Sequence, residues 1–349
     1  MQAEIHLRRM QPTDSAAFTK LMQDSPDTGR MSVSAQYQLD AYKVISFGYN
    51  DTVGIVAGVD EYDGIVGAGL VSFDKCTFVG EEREYALLHS LIVHPNYRCR
   101  GIAAELAQWR LHYALEKLGE RGLIVASIQH GNNGSIATAQ KWCQQWLGPI
   151  KGCMIRMRTN PPSPVDSVIV RPAQLNEFEE IAYQQNRFYQ NYNFYKPETA
   201  STLTTWLSTT PFDSPLHHYL VAVDLHGNIL AGLSLAEQFK LVAMQIEHMP
   251  AFARFLNKFL AVVPPDGSLR QLNISRLWYA PDKLSVARYL WETIRWEWRE
   301  RGSVLVCYFD PQGLLPKVLR LPVWMPTSKF ILAIRGADDV LNRDGLVYW

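Results

Sequence analysis

Leu87-Leu88-His89-Ser90-Leu91-Ile92-Val93-His94-Pro95-Asn96-Tyr97-Arg98-Cys99-Arg100-Gly101-Ile102-Ala103 joins three kinds of sequence in one line. Residues 87–93 are mainly apolar and of strand length. His94-Pro95-Asn96-Tyr97 breaks the run, since proline cannot continue a sheet ladder. Arg98-Cys99-Arg100-Gly101 then opens an amphipathic run, Ile102–Leu118, whose spacing predicts a buried stripe at Ile102, Leu106, Trp109 and Tyr113. A strand, a short glycine-bearing loop and a helix make a site for a phosphorylated ligand. The first amides of a helix have no partner within it, and they carry the positive end of its dipole. Gly101 lets the backbone approach an anion without a Cβ in the way. Arg98 and Arg100 add charge-assisted donors.

The remaining composition narrows the function class. A chain of 349 residues suits two domains better than one core. With 19% charged residues and a formal net charge of zero, it shows no basic face for nucleic acid. No stretch reaches the ~18 apolar residues of a membrane helix. The first residues lack the pattern of a secretory signal, so a cytoplasmic setting is expected. Five scattered cysteines contain no Cys-x-x-Cys pair, and His217-His218 has no helical partner or nearby carboxylate pattern, so no metal site is expected.

Residues 158–167, with three prolines in four positions, read as a linker. They divide the chain into domains 1–157 and 168–349, and the two segments look alike. Each begins with a strand and a helix: residues 5–9 with 14–23, and 168–171 with 175–190. Each continues with a hairpin around a glycine-bearing turn, at 56–73 and 220–235. Each then has an apolar run ending near a proline, a helix, Glu-Arg-Gly (Glu120 and Glu300), and another apolar strand. Pro95 lies 25 residues before Glu120, whereas Pro281 lies 19 before Glu300. The second copy therefore lacks about six residues where the first has its arginine–glycine loop, and Asp282-Lys283-Leu284-Ser285 stands there. Only the first copy is expected to bind the phosphorylated ligand. The second copy has an extra helical stretch at 249–262. The fold class expected is α+β (mixed α/β): two tandem units, each a mixed, mostly antiparallel sheet flanked by helices.

The line from Leu91 to Ala103 resembles the acetyl-coenzyme A loop of the GNAT superfamily N-acetyltransferases. That loop reads Arg/Gln-x-x-Gly-x-Gly/Ala after a strand ending in Val-x-Pro. Asn132-Asn133-Gly134-Ser135-Ile136 resembles a second family motif at a helix start, although Asn and Ser are also ordinary helix caps. The resemblance covers residues 4–158 well; the second half follows it only in element order, as a degenerate copy. It implies an N-acetyltransferase that moves an acetyl group from acetyl-coenzyme A, as cosubstrate, directly to a primary amine of a small molecule or peptide. It implies coenzyme contacts at Leu91, Ile92, Val93, Arg98, Cys99, Arg100, Gly101, Ile102, Ala103, Asn132 and Ser135, with no metal. A non-catalytic acyl-coenzyme A sensor is the alternative, and a homodimer stays open.

An amine of pKa ~10.4 is about one part in a thousand neutral at pH 7, so a base is expected. His89, sharing a strand face with Leu91 and Val93, is the first candidate for that base; a core histidine is the other reading. Glu84 (or Glu82, Glu81) is the second candidate, acting through a water; a solvated strand end is the other reading. In the arylalkylamine branch of the family a histidine at the place of His89 serves proton removal. The thioester oxygen is expected to meet a backbone N–H in a bulge near residues 91–93. Many family members return a proton to the thiolate from a tyrosine on the last helix; here the motif places Ala139 there. Cys99 reads as a loop position or a redox-active thiol. The aromatic stretch 188–195 reads as a domain contact or as a pocket wall, and Trp291, Trp296 and Trp298 as core or contact residues.

Overall fold

The computed structural model describes residues 4–25, 27–28, 32–48, 51–119, 122–260, 263–323, 325–336 and 345–349. Twelve strands form one continuous sheet. The first half gives β1 (Ile5–Arg9), β2 (Thr52–Val59), β3 (Tyr62–Phe78), β4 (Glu81–Val93), β5 (Leu123–Gln129) and β6 (Gln145–Arg156). The second gives β7 (Val168–Pro172), β8 (His217–Asp224), β9 (Ile229–Ala236), β10 (Gln271–Tyr279), β11 (Val304–Phe309) and β12 (Ser328–Arg335). Their order across the sheet is β1-β2-β3-β4-β5-β12-β6-β11-β10-β9-β8-β7. Neighbours are antiparallel except β4–β5 and β10–β11, one parallel pair per half.

That order reads the same from either edge if the halves are exchanged. Each half lends its last strand to the other: β6 pairs with β11 and β12 pairs with β5. The chain crosses between halves through 157–167, which has no regular structure up to the turn before β7. The repeat extends to side chains. Arg8 grips Asp14 through two bonds of 2.6 and 2.7 Å, while the Gln11 amide donates to the same carboxylate at 2.7 Å. Arg171 grips Glu177 at 2.6 and 2.9 Å, and the Gln174 amide donates at 2.7 Å.

Helices cover both faces of the first half's sheet. α1 (Ser15–Asp24) and α2 (Ala41–Gly48) pack on Val56, Ala68 and Leu70. α3 (Ile102–Leu118) packs on Ile55, Ala57 and Val66. Burial on both faces explains why 65–73 is apolar without alternation and buried throughout. The sequence stripe on α3 needs a correction. Ile102 and Leu106 are buried, but the stripe continues through Ala107, Arg110 and Ala114, while Trp109 and Tyr113 are half-buried and stack on each other. Apolar periodicity could not anticipate an arginine on the buried face.

The second half repeats the pattern with α5 (Phe178–Tyr189), α6 (Ala200–Ser208) and α8 (Leu284–Glu297). Trp291 and Trp298 are buried against the sheet. The extra stretch contains α7 (Ala251–Leu260); residues 261–262, and Glu120-Arg121 of the first Glu-Arg-Gly, lie outside the described residues. Before α7, Val242–His248 pairs with Ser32–Tyr37 of the first half in a separate four-stranded sheet.

Because the halves share one sheet, they should unfold together. Leu332 on β12 is fully buried among Val125, Ile150 and Phe78. Leu332→Ala should cost about 2–5 kcal/mol, with tryptophan fluorescence in urea still showing one transition; separate transitions for the halves would contradict the shared core. The arginines hold the Asp14 and Glu177 carboxyls below their usual range, against an opposing desolvation. A carboxyl lowered in the folded state stabilises above its unfolded pKa (~4.3 for Glu) and loses that contribution as pH falls through the folded value. The stability gap between the parent and Glu177→Gln should therefore narrow below pH ~4; a constant gap from pH 6 to 2.5 would refute this.

Candidate functional site

β4 ends at Val93, and a single turn, Pro95–Tyr97, leads to the loop before α3. His94 caps that turn, its Nδ1 accepting from the Asn96 amide at 3.3 Å. The reason for the glycine is visible: Gly101 is the N-cap residue of α3 at φ +91°, a left-handed conformation, and a Cβ there would point into open space. Cys99 is also left-handed, at φ +64°, and exposed. The carbonyl of Gly101 accepts from Ala104 and Glu105. The amides of Cys99, Arg100, Gly101, Ile102 and Ala103 donate to no protein atom among the described residues. Five consecutive amides without a protein acceptor at the positive end of a 17-residue helix are the kind of donor set, here termed the nest, that can hold an anion.

The two arginines are less free than the sequence reading expects. Arg98 Nε donates to the Val93 carbonyl at 3.1 Å. Arg100 pairs with Glu61 on the β2–β3 turn and lies 4.9 Å from the Tyr97 ring centre. Both remain exposed beside the nest.

Next to the loop, the sheet opens. Among the described residues, β4 and β5 pair only at Tyr85–Leu123, Ala86–Ile124 and Leu87–Val125. Beyond them β5 follows β12, while β4 stays with β3. At the opening β4 carries a bulge. Ala68 faces Ile92 and Leu70 faces His89, so Ser90 and Leu91 together oppose Gly69. Ser90 has φ +52°, which turns the strand out of register. Leu91, Ile92 and Val93 thus line one edge of a split that leads to the amide nest.

His89 is at the bulge and mostly buried. Its Nε2 is 2.7 Å from Ser72 Oγ, which is 2.8 Å from Thr52 Oγ1; its Nδ1 is 3.2 Å from Ser90 Oγ. Burial, then the neighbouring Arg110, push its pKa down to about 3. The imidazole is therefore neutral, and a poor base near pH 7, contrary to the expectation for an ordinary strand histidine. Glu84 is exposed and six residues up the strand, about 20 Å from the bulge at strand rise. The structure does not bring it to the opening.

Asn132 caps the short helix α4 (Asn133–Ala139), its Oδ1 accepting from the Ser135 amide at 3.1 Å. This is the ordinary capping role weighed in the sequence. Ala139 is buried in the core between α3 and the sheet, so no proton donor stands at that position. Elsewhere, Glu4, His6 and Asp60 bring ligand atoms together, all exposed at the outer edge of the sheet. A hollow of about 370 Å³ lies in the second half beside Glu237, whose carboxylate already holds His218 at 2.8 Å and Lys240 at 3.2 Å.

The second half builds the same split and fills it. β10 and β11 pair only at 271–274 with 304–307. Its bulge places Arg276 at φ +52°, matching Ser90. Leu346–Val347 pairs with Tyr192–Asn193, and Val347 and Tyr348 enter the split beside Tyr189. Tyr348 packs edge-on against Tyr189 and Tyr195 at 4.8 and 5.2 Å. About 20 Å³ is left, room for one water. The aromatic stretch 188–195 thus lines this filled split, and Phe194 also reaches Phe78 of the first half.

Residues 18–143 match the sequence model of the acetyltransferase (GNAT) family. No curated protein matches the chain. Among solved structures, N-myristoyltransferase of Saccharomyces cerevisiae with bound myristoyl-CoA has a TM-score of 0.66 at 8% identity, covering 96% of this chain and 83% of that one. A GCN5-related N-acetyltransferase from Sphaerobacter thermophilus scores 0.61 at 14% identity, covering 95% of each chain. A tandem GNAT protein from the clavulanic acid biosynthesis pathway scores 0.61 at 11% identity, covering 96% of this chain and all of that one. At such identities these structures show the fold. The family match covers the loop and split of the first half, and the structures show that the whole chain has the fold of tandem GNAT proteins.

Proposed function

We propose that this chain transfers an acetyl group from acetyl-coenzyme A to a primary amine, at the split of the first half. The five unpartnered amides from Cys99 to Ala103, at the mouth of an open split, carry the proposal. They suit a pyrophosphate, and an extended pantetheine arm suits the free edge of β4 at Leu91, Ile92 and Val93, which offers strand-type hydrogen bonds. Arg98 and Arg100 supply charge beside the nest, the latter by exchanging Glu61 for phosphate. Asn132 and Ser135 frame the opposite side of the split. The amide of Leu91 in the bulge is the donor proposed for the thioester oxygen.

The acceptor must attack as a neutral amine, a selection costing about 4–5 kcal/mol at pH 7 for a lysine-like group. Moving its proton to His89 at a pKa of about 3 would be uphill by roughly 10 kcal/mol. We therefore give His89 a positioning role in the Thr52–Ser72–His89–Ser90 chain, and let the amine enter unprotonated. Two results test the reading. Acetyl-coenzyme A at ~100 Kd should add about 2.7 kcal/mol of stability, and Gly101→Glu should abolish this gain, while itself costing about 1–2 kcal/mol because the residue is left-handed; retained binding in that variant would exclude the loop. With alkylamine acceptors, kcat/KM should rise about tenfold per pH unit from pH 6 toward the amine pKa, ~10.4. An inflection near 6.5 that vanishes in His89→Gln would instead restore His89 as the base.

Ala139 favours a second reading, an acyl-coenzyme A sensor without turnover. Binding without free-thiol release across an amine panel would support it.

A further inference from the structure

Arg110 sits in the middle of α3, buried, with no carboxylate partner among the described residues. Its guanidinium donates to three carbonyls: Leu106 and Leu70 at 3.3 Å, and His89 at 2.9 Å. Leu70 and His89 face each other across β3 and β4 where the bulge begins. The sheet makes room for this cation. A Cβ on Gly69, directly opposite the bulge, would lie 2.9 Å from Arg110 Cδ and Nε. Of the titratable groups on β2, β3, β4, β5 and α4, which pack around α3, the one that Arg110 shifts is His89, and it stays neutral. Burial alone lowers Arg110, to about 10.

The second half supplies an internal comparison. There the bulge residue is itself an arginine, Arg276, half-buried and on the strand rather than the helix; Glu198 neutralises it at 2.8 Å and Leu233 stands in the place of Gly69. The filled split has a paired cation; the open split has an unpaired one. A buried charge without a counter-ion is unfavourable at rest. It becomes useful where an anion appears during turnover.

We propose that Arg110 is a positioning residue that pins the β4 bulge and whose uncompensated charge stabilises the thiolate leaving from acetyl-coenzyme A. This inference rests on the acetyltransferase reading above. In the step concerned, the amine lone pair forms the N–C bond and the C–S pair leaves on sulfur. The proton lost by nitrogen goes to solvent, so acetyl-coenzyme A and amine give amide, thiolate and one proton. No acid is needed at the position of Ala139, because the thiolate is held by charge rather than protonated.

The test uses the full chain with coenzyme A itself, following thiolate ultraviolet absorbance from pH 5 to 10. The bound thiol should ionise at least one unit below the free value of ~8.5. Arg110→Gln should return it toward the free value, and Arg110→Lys, which keeps the charge, should retain most of the shift. A merely structural arginine would alter melting temperature but leave the thiol titration unmoved. A wild-type thiol that titrates at or above the free value overturns the inference whether or not the variants fold. Failure of the wild-type chain to bind coenzyme A at all overturns the donor reading, and this inference with it.

Discussion

The molecule turns on a parallel strand pair that holds for three residues and then parts. Up to Leu87 and Val125, β4 and β5 satisfy each other's backbone groups. Beyond that point the bulge at Ser90 rotates β4, while β12 draws β5 the other way. Backbone donors left open inside a protein are unfavourable unless water or a ligand meets them. A split of this kind is stable because both strands have a full partner on the other side. The ligand groove is therefore a consequence of the sheet around it.

That requirement gives the exchanged strands a purpose. β12 belongs by sequence to the second half, yet it is the strand that carries β5 away from β4. β6 does the same service for β11. Neither half closes its sheet alone, so the geometry of the first split depends on residues some two hundred positions away. The second half, though degenerate in its loop, remains a structural part of the site. The pairing of Val242–His248 with Ser32–Tyr37 ties the halves again at the level of α1 and α2.

Much of this was legible in the sequence because it is local. The break at His94-Pro95, the glycine at a left-handed helix start and the extent of Ile102–Leu118 follow from residue types at fixed offsets. The repeat was legible because two copies keep the same order of elements. The exchange was not, since periodicity says which residues form strands but not which distant strand they meet. Arg110 was missed for a related reason. The apolar count put Trp109 and Tyr113 on the buried face, and only the placement of Gly69 shows that a guanidinium takes the space. His89 lies beside the bulge, but its titration depends on burial and on that same arginine, neither of which a strand pattern reveals.

The two halves then differ by substitution on one backbone plan. Each has a parallel pair that parts and a left-handed bulge residue; the arginine beside it is Arg110 on α3 in the first half and the bulge residue Arg276 itself in the second. In the second, Asp282-Lys283 stands before α8 in place of the arginine–glycine loop, with Asp282 at φ +61° and Lys283 as the N-cap. Glu198 neutralises the arginine, and Tyr348 occupies the split. The open split and the lone cation of the first half thus have counterparts in the second that Tyr348 and Glu198 cover. The first half leaves its split open and its arginine without a carboxylate, and that difference between two copies of one plan is what the proposed ligand would answer.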